Sequence, residues 1–119
     1  MRFDPNKVND VMSLQGPDGR PLLYTLYDLF VQDSEGHISL AKRKLETDTA
    51  DDELMRAFHT MKSTAGNVGA SDLSAVSAVL EQAARDKDME KLKRSINSYY
   101  KLYQESRDAL KEFLIAEEV

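Results

Sequence analysis

The sequence predicts an all-α protein, an antiparallel up-down-up-down four-helix bundle with a short N-terminal capping helix. Apolar residues recur at steps of three and four along most of the chain, which is the period of an amphipathic helix. The connections between these segments are short, and short connections join antiparallel neighbours in helical bundles. The 119 residues, 41% of them hydrophobic, suit one domain with one core. We therefore predict a single domain over residues 1–119.

The first helix is predicted over residues 4–13. Asp4 is placed to cap it, Pro5 suits the first helical position, and Phe3 can pack against Val8. The helix must be short, because the Gly-Pro-Asp-Gly segment at residues 16–19 is typical of a turn. Its expected role is to cover one end of the core.

The second helix is predicted over residues 19–46, with apolar side chains in phase from Leu23 to Leu45. Gly36 lies inside this segment and costs about 1 kcal/mol relative to alanine in a helix. A break near Gly36, giving two helices, is therefore the alternative. One continuous helix is the favoured prediction, because the apolar period stays in phase across the glycine.

The remaining helices are predicted over residues 50–67, 71–85 and 88–117. Thr49, Ser71 and Asp88 are the expected N-terminal caps, and Gly69 is expected to turn the chain between the first two of these helices. The tyrosines at 99, 100 and 103 are interpreted as the edge of the core. The three apolar stripes contain Leu54, Phe58, Met61, Ala65 and Val68, then Leu73, Val76 and Leu80, then Leu92, Ile96, Tyr99, Tyr103 and Leu110.

Composition and charge argue against several classes of function. The formal net charge of −5 argues against a nucleic-acid-binding protein. The chain has no cysteine, so it has neither disulfides nor thiolate metal ligands, and its two histidines show no metal-ligand spacing. No apolar run is long enough to span a bilayer, and no signal peptide is visible. A cytoplasmic protein is the expectation.

One helix face carries the candidate site. His59, Lys62, Ser63 and Gly66 follow each other at i, i+3, i+4 and i+7, so they share a face that lies beside the apolar stripe. Ser63 and Gly66 are small and leave the space around the imidazole open. A clearing around a reactive group suits a partner protein that brings its own chemistry close.

The same stretch resembles the signature of histidine-containing phosphotransfer (HPt) domains. That signature runs His-x-x-Lys-Gly, then small residues, then Gly-Ala and an apolar segment that ends in Leu-Glu. Here it corresponds to residues 59–63 (His-Thr-Met-Lys-Ser), residues 64–70 (Thr-Ala-Gly-Asn-Val-Gly-Ala) and residues 79–81 (Val-Leu-Glu). Ser63 replaces the usual glycine, a small change at a place where a partner's backbone would approach.

The resemblance implies that the chain is a phosphorelay intermediate of two-component signalling. His59 would accept a phosphoryl group from a receiver-domain aspartate of a hybrid sensor kinase and pass it to a response regulator. Lys62 would partly neutralise the phosphoryl charge. Thr60 or Ser63 would donate a hydrogen bond to the imidazole or the phosphoryl group, and the small residues Ser63 and Gly66 would leave clearance. Met55, beside this face, is a candidate apolar docking contact or a half-buried packing residue.

The same resemblance bears on cofactors and partners. The chain has no Gly-rich nucleotide loop, so no autonomous kinase or ATPase activity is expected of it. No cofactor is expected on this chain, and the magnesium ion is expected on the partner receiver domain. Receivers are expected to dock over the His59 face and part of the second helix. A monomer is expected, because each apolar stripe is used internally.

Two other functions stay open at this point. The chain could be the N-terminal substrate domain of a chemotaxis-type histidine kinase, or a helical adaptor whose histidine is not phosphorylated. Taken without its neighbours, His59 would be an ordinary surface histidine. His37 is interpreted as structural or merely exposed.

Overall fold

The computed structural model describes residues 4–117, and these residues form five α-helices and no β-strand. The helices are α1 (Pro5–Met12), α2 (Leu22–Glu46), α3 (Asp52–Asn67), α4 (Ser71–Arg85) and α5 (Met89–Glu117). Each helix begins and ends within three residues of the predicted bounds. The predicted contact of Phe3 lies outside the described residues.

The first two helices are separated by a tight loop that delays the start of α2. Asp4 caps α1 as predicted, since its side chain accepts a hydrogen bond from the Asn6 amide at 2.9 Å. After α1, Gly19 adopts a positive φ of 83° and the Gly16 amide donates to the Arg20 carbonyl at 2.6 Å. This closed turn places the first residue of α2 at 22 rather than at the predicted 19. From there α2 is continuous through Gly36, which confirms the single-helix prediction.

The predicted caps of α3 and α4 were wrong. Asp51, not Thr49, caps α3, because its carboxylate accepts the Leu54 amide at 3.0 Å. Ser71 is the first residue of α4 rather than its cap, and Ala70 holds the cap position without a side-chain hydrogen bond. Gly69, at a φ of 78°, turns the chain directly after α3, so that α4 starts one residue earlier than the serine would require.

The cap of α5 and the role of Gly69 agree with the predictions. Asp88 accepts a hydrogen bond from the Lys91 amide at 3.2 Å, which satisfies one free donor of the first helical turn. Gly69 does turn the chain between α3 and α4, and its left-handed backbone suits glycine.

Helices α2 to α5 each pack against two of the others and enclose one core. The packed pairs are α2 with α3, α3 with α4, α4 with α5, and α5 with α2, while α1 lies against α2. The apolar stripe of α3 is wholly buried, as predicted. The core comprises the following larger side chains: Leu23, Phe30, Ile38, Leu45, Leu54, Phe58, Met61, Leu73, Leu80, Leu92, Tyr99, Tyr103 and Leu110.

The tyrosine cluster lies deeper than the predicted edge of the core. Tyr99 and Tyr103 are fully buried, and only Tyr100 is half-buried. The Tyr99 hydroxyl is 2.6 Å from the Ser77 hydroxyl, so its polar atom has a partner inside the core. An edge-on contact with Phe58, with ring centroids 5.7 Å apart, joins α5 to the helix that carries His59.

Candidate functional site

His59 projects from the middle of α3 on the side of α4. Its side chain is 58% exposed, although its neighbour Phe58 is buried. The contrast follows from helix geometry, because successive residues are about 100° apart and the core takes the face that carries the apolar stripe. The structure therefore presents an accessible imidazole on a helix that is rigidly held by its other face.

A buried carboxylate on α4 holds the imidazole in place. The Glu81 side chain is only 10% exposed, and its Oε2 atom lies 3.0 Å from Nδ1 of His59. An ionised carboxylate can only accept hydrogen bonds, so Nδ1 carries the proton and donates it to Glu81. The neutral ring then keeps its lone pair on Nε2, the nitrogen that Glu81 does not engage.

Glu81 is surrounded by cationic side chains from two helices. Lys62, on α3, places Nζ 3.2 Å from Oε1, and Arg85, on α4, places Nη2 3.3 Å from Oε2. Burial by itself raises the pKa of the Glu81 carboxyl, but the hydrogen bonds from Lys62 and His59 outweigh it and lower that pKa overall. The carboxylate therefore stays ionised at neutral pH and remains an acceptor for His59.

A hydrogen bond from a serine side chain to a backbone carbonyl sets the register between α3 and α4. The Ser74 hydroxyl donates to the carbonyl of Lys62 at 2.8 Å. The contact lies about one helical turn from His59 on α3 and about two turns from Glu81 on α4. A shift of α4 along α3 would break this hydrogen bond together with the one between Glu81 and His59. The distance from carboxylate to imidazole is thus fixed by helix packing.

The structure brings together only part of the predicted site. His59 and Lys62 meet at Glu81, whereas Thr60 points towards α2 and lines a groove of about 360 Å³ with His37 and other side chains. Ser63 is exposed. These positions place Lys62 at the same carboxylate that His59 contacts, and they place Thr60 beside a different surface.

Gly66 and Met55 lie on the same side of α3 as His59 but differ in their surroundings. A Cβ atom at Gly66 would lie 3.6 Å from the Ser74 hydroxyl, which is an ordinary contact. The neighbouring helix therefore does not require glycine at this position. Met55 is half-buried and packs against the core, as in one of the two interpretations of this residue.

Sequence reasoning missed Glu81 and Arg85 as site residues. Glu81 was noted only as the last residue of the Leu-Glu end of the family signature. Its position in the helical pattern could have revealed it. An acid directly after Leu80 lies next to the core stripe of the helix rather than on the opposite, solvent-facing side. Arg85 follows Glu81 by four residues and thus lies on the same face of α4.

Residues 4–117 include no group of three or more His, Asp or Glu side chains arranged to hold a metal ion. Within the same range, none of the helices combines the length and apolar character needed to cross a membrane.

Comparison with known proteins identifies the family. The chain is similar in structure to histidine-containing phosphotransfer protein B (HptB) from Pseudomonas aeruginosa PAO1, with a TM-score of 0.82 and 22% sequence identity. The similarity covers 93% of this chain and 92% of the other, and at this identity it shows a shared fold. No curated protein matches the chain. The family model of the Hpt domain matches residues 25–115, which include all of α3 and α4. The chain therefore belongs to the Hpt domain family.

Proposed function

We propose that the protein is a phosphorelay intermediate that carries a phosphoryl group on His59. It accepts the group from a receiver-domain aspartate of a hybrid sensor kinase and passes it to a response regulator. One observation supports this most strongly: the imidazole is 58% exposed and its Nδ1 is hydrogen-bonded to a buried, ionised carboxylate, which leaves the lone pair of Nε2 for a phosphoryl group. Membership of the Hpt domain family supports the same role.

The transfer step follows from this geometry. The Nε2 lone pair attacks the phosphorus of the aspartyl phosphate, a nitrogen–phosphorus bond forms, and the bond from phosphorus to the aspartate oxygen breaks with its electron pair. The ring, which keeps its proton on Nδ1, then carries a positive charge. The Glu81 carboxylate at 3.0 Å stabilises that charge, as a buried acid does for a catalytic histidine. In the reverse step the nitrogen–phosphorus bond breaks with its electron pair returning to Nε2, and the ring leaves as neutral imidazole with its proton still on Nδ1.

The other site residues offset the phosphoryl charge or keep His59 accessible to a partner. Lys62 is 39% exposed and can turn from Glu81 towards the phosphoryl oxygens, where it offsets part of their negative charge. Ser63 and Gly66 keep the approach to His59 open. Thr60 and the exposed part of the Met55 side chain, whose buried part packs against the core, belong to the surface that a receiver covers. The magnesium ion required for receiver chemistry is supplied by the receiver.

The finer architecture and the setting are part of the same proposal. Helices α2 to α5 form an antiparallel up-down-up-down bundle with α1 covering one end, supported by their closed ring of contacts and their short connections. The domain spans residues 1–119 and acts as a monomer. It works in the cytoplasm, where the receiver domains of hybrid kinases and response regulators meet their substrates.

Transfer from a labelled, phosphorylated receiver domain tests the proposal. The wild-type protein should acquire label that is acid-labile and base-stable, as expected of a phosphoramidate on histidine. His59→Gln should abolish labelling, whereas His37→Gln, which alters the other histidine, should leave it intact. Label that survives His59→Gln would show that another residue is the acceptor. Failure of several receivers to label the wild type would favour the adaptor hypothesis.

A further inference from the structure

We infer that a groove between α2 and α5 binds an acidic segment of a partner protein, on the side of the bundle away from His59. The groove has a volume of about 380 Å³. The side chains that line it are Lys42, Leu45, Glu46, Lys93, Ile96 and Asn97. They are not the residues of the site around His59, so this binding goes beyond the proposed function and does not depend on it.

The basic run at residues 42–44 is divided between two sides of α2. The Lys44 ammonium turns towards the start of α3, where it lies 2.6 and 2.7 Å from two carboxylates. Lys42 is two positions earlier and therefore lies on the other side of the helix, with Nζ 4.1 Å from the centroid of the Tyr100 ring on α5. Lys42 is the member of the run that borders the groove.

The polar side chains of the groove are available to an anion. Lys42 makes no ion pair with any side chain that the structure describes, although Glu46 follows it by four positions. Lys93 is ion-paired with Asp48, but these side chains are 48% and 67% exposed, and such a pair contributes little to stability. Asn97 is exposed and adds an amide donor. A carboxylate in the groove can therefore contact two cations and an amide.

The groove also has an apolar part, formed by Leu45 and Ile96. Both belong to the core and have only a small exposed fraction, so they form the floor between the two helices. Cations around an apolar floor match an occupant that carries acidic and apolar side chains together. The volume is that of a pocket for a small ligand, which suits a few side chains of a short segment rather than the whole face of a domain.

Charge favours a peptide over a polyphosphate or an anionic membrane. Glu46 lies in the groove itself, and the chain has a formal net charge of −5. A long polyanion or a charged membrane surface interacts with the field of the whole protein, which repels it. A short acidic segment interacts mainly with the charges within about 10 Å, because salt screens the rest. Those charges include Lys42 and Lys93.

The groove and His59 are accessible at the same time. The packed pairs of helices form a closed ring in the order α2, α3, α4 and α5. The seam between α2 and α5 therefore lies across the bundle from the seam between α3 and α4, where His59 contacts Glu81. A partner can hold the protein through the groove while a receiver reaches His59.

NMR titration of the whole chain, labelled at its backbone amides, tests this inference. The probe is a synthetic peptide made of Asp, Glu and Leu, and the control peptide replaces each Asp by Asn and each Glu by Gln. The acidic peptide should shift the amide signals of Lys42, Lys93 and Asn97, whereas the control peptide should not. Added salt should weaken the binding, because the charges involved are exposed to solvent.

Variants of the two lysines show whether the groove is the binding site. Lys42→Gln and Lys93→Gln should each raise the Kd of the acidic peptide about threefold, and together about tenfold, as expected for exposed charge pairs. Lys91→Gln is the matched control, because Lys91 belongs to the same helix but does not line the groove. It should leave the Kd unchanged, and circular dichroism should show that all variants remain helical.

The inference is overturned if the acidic peptide leaves the groove signals unshifted, if the control peptide shifts them equally, or if the double variant binds with the wild-type Kd. His59→Gln should bind the acidic peptide as the wild type does. A failure of phosphoryl transfer would therefore overturn the proposed function and leave this inference standing, and a failure of peptide binding would do the reverse.

Discussion

The imidazole Nδ1 of His59 lies 3.0 Å from Oε2 of Glu81, a residue 22 positions later in the chain and on the next helix. One end of this hydrogen bond is exposed and the other is buried. The buried acid fixes the tautomer and orientation of an imidazole that is itself open to solvent. The reactivity of His59 is thus linked to the packing of α3 on α4.

Replacement of Glu81 should slow phosphoryl transfer without unfolding the protein. Glu81→Ala removes a hydrogen bond that involves a charged group, and such bonds contribute about 1.5–3 kcal/mol, which corresponds to roughly a 10- to 100-fold slower single-turnover transfer. Glu81→Gln keeps an acceptor but loses the charge, so its rate should lie between those of Glu81→Ala and wild type.

The control for this series is Glu90→Gln, which removes an exposed acid that also pairs with an arginine four residues later. Its transfer rate should equal that of the wild type, and circular dichroism should show that all three variants remain helical. Wild-type transfer by Glu81→Ala would contradict the role given to this hydrogen bond.

Glu81 should also make stability depend on pH in the acid range. Its pKa in the folded protein lies below the ordinary value of 4.5, because the hydrogen bonds from Lys62 and His59 favour the ionised form more than burial disfavours it. A depressed folded-state pKa contributes stability that is present above pH 4.5 and is lost as pH falls through the folded pKa.

Urea unfolding at a series of pH values, from neutrality into the acid range, measures this contribution. The difference in free energy of unfolding between wild type and Glu81→Gln should be constant at higher pH. As pH falls below about 4.5, the wild type should lose stability relative to Glu81→Gln, because its carboxylate becomes protonated. Parallel curves for the two proteins throughout that range would show that Glu81 is not held ionised by its neighbours.

Replacement of two glycines by alanine should change the stability of the protein in opposite directions. Gly69 has a φ of 78°, and a Cβ atom there would lie 3.1 Å from Val8 Cγ2 and 3.2 Å from the Asp4 carbonyl. The left-handed backbone alone costs an alanine roughly 1–2 kcal/mol, so Gly69→Ala should destabilise the protein by at least that much. At Gly36 no atom beyond the adjacent residues and the local helix backbone lies within 4 Å of the added carbon, and alanine should stabilise α2 by about 1 kcal/mol.

Thermal or urea denaturation of the two variants beside wild type checks this pair of predictions. Gly36→Ala serves as the control for Gly69→Ala, since it adds the same methyl group to a helical backbone in open space. Destabilisation by Gly36→Ala would mean that the residue has a packing role, and stabilisation by Gly69→Ala would mean that the turn does not need its left-handed conformation.

The sequence carried enough information to predict α3 and the placement of His59 beside Lys62. Both depend on local periodicity, because residues three and four apart share a helix face whatever the rest of the chain does. The Glu81 contact could not be predicted in this way. It depends on the register of two packed helices, which is set by tertiary contacts such as the one from Ser74 to the Lys62 carbonyl.

The cap of α3 shows the same limit at a smaller scale. Thr49 and Asp51 both have side chains suited to a cap, and local propensity does not choose between them. The choice is made by a residue of α2, since Lys44 Nζ lies 2.6 Å from the Asp51 carboxylate and 2.7 Å from that of Glu53. These ion pairs hold Asp51 at the cap position, so that α3 begins at Asp52, two residues beyond the predicted start.

NMR of protein with isotope-labelled histidine nitrogens tests most directly whether Nε2 of His59 accepts the phosphoryl group. The sample is the His37→Gln variant, in which His59 is the only histidine, phosphorylated by a receiver domain. We predict coupling between phosphorus and Nε2, with the proton retained on Nδ1. Coupling to Nδ1, or a phosphorylated protein whose histidine nitrogens are uncoupled, would contradict it.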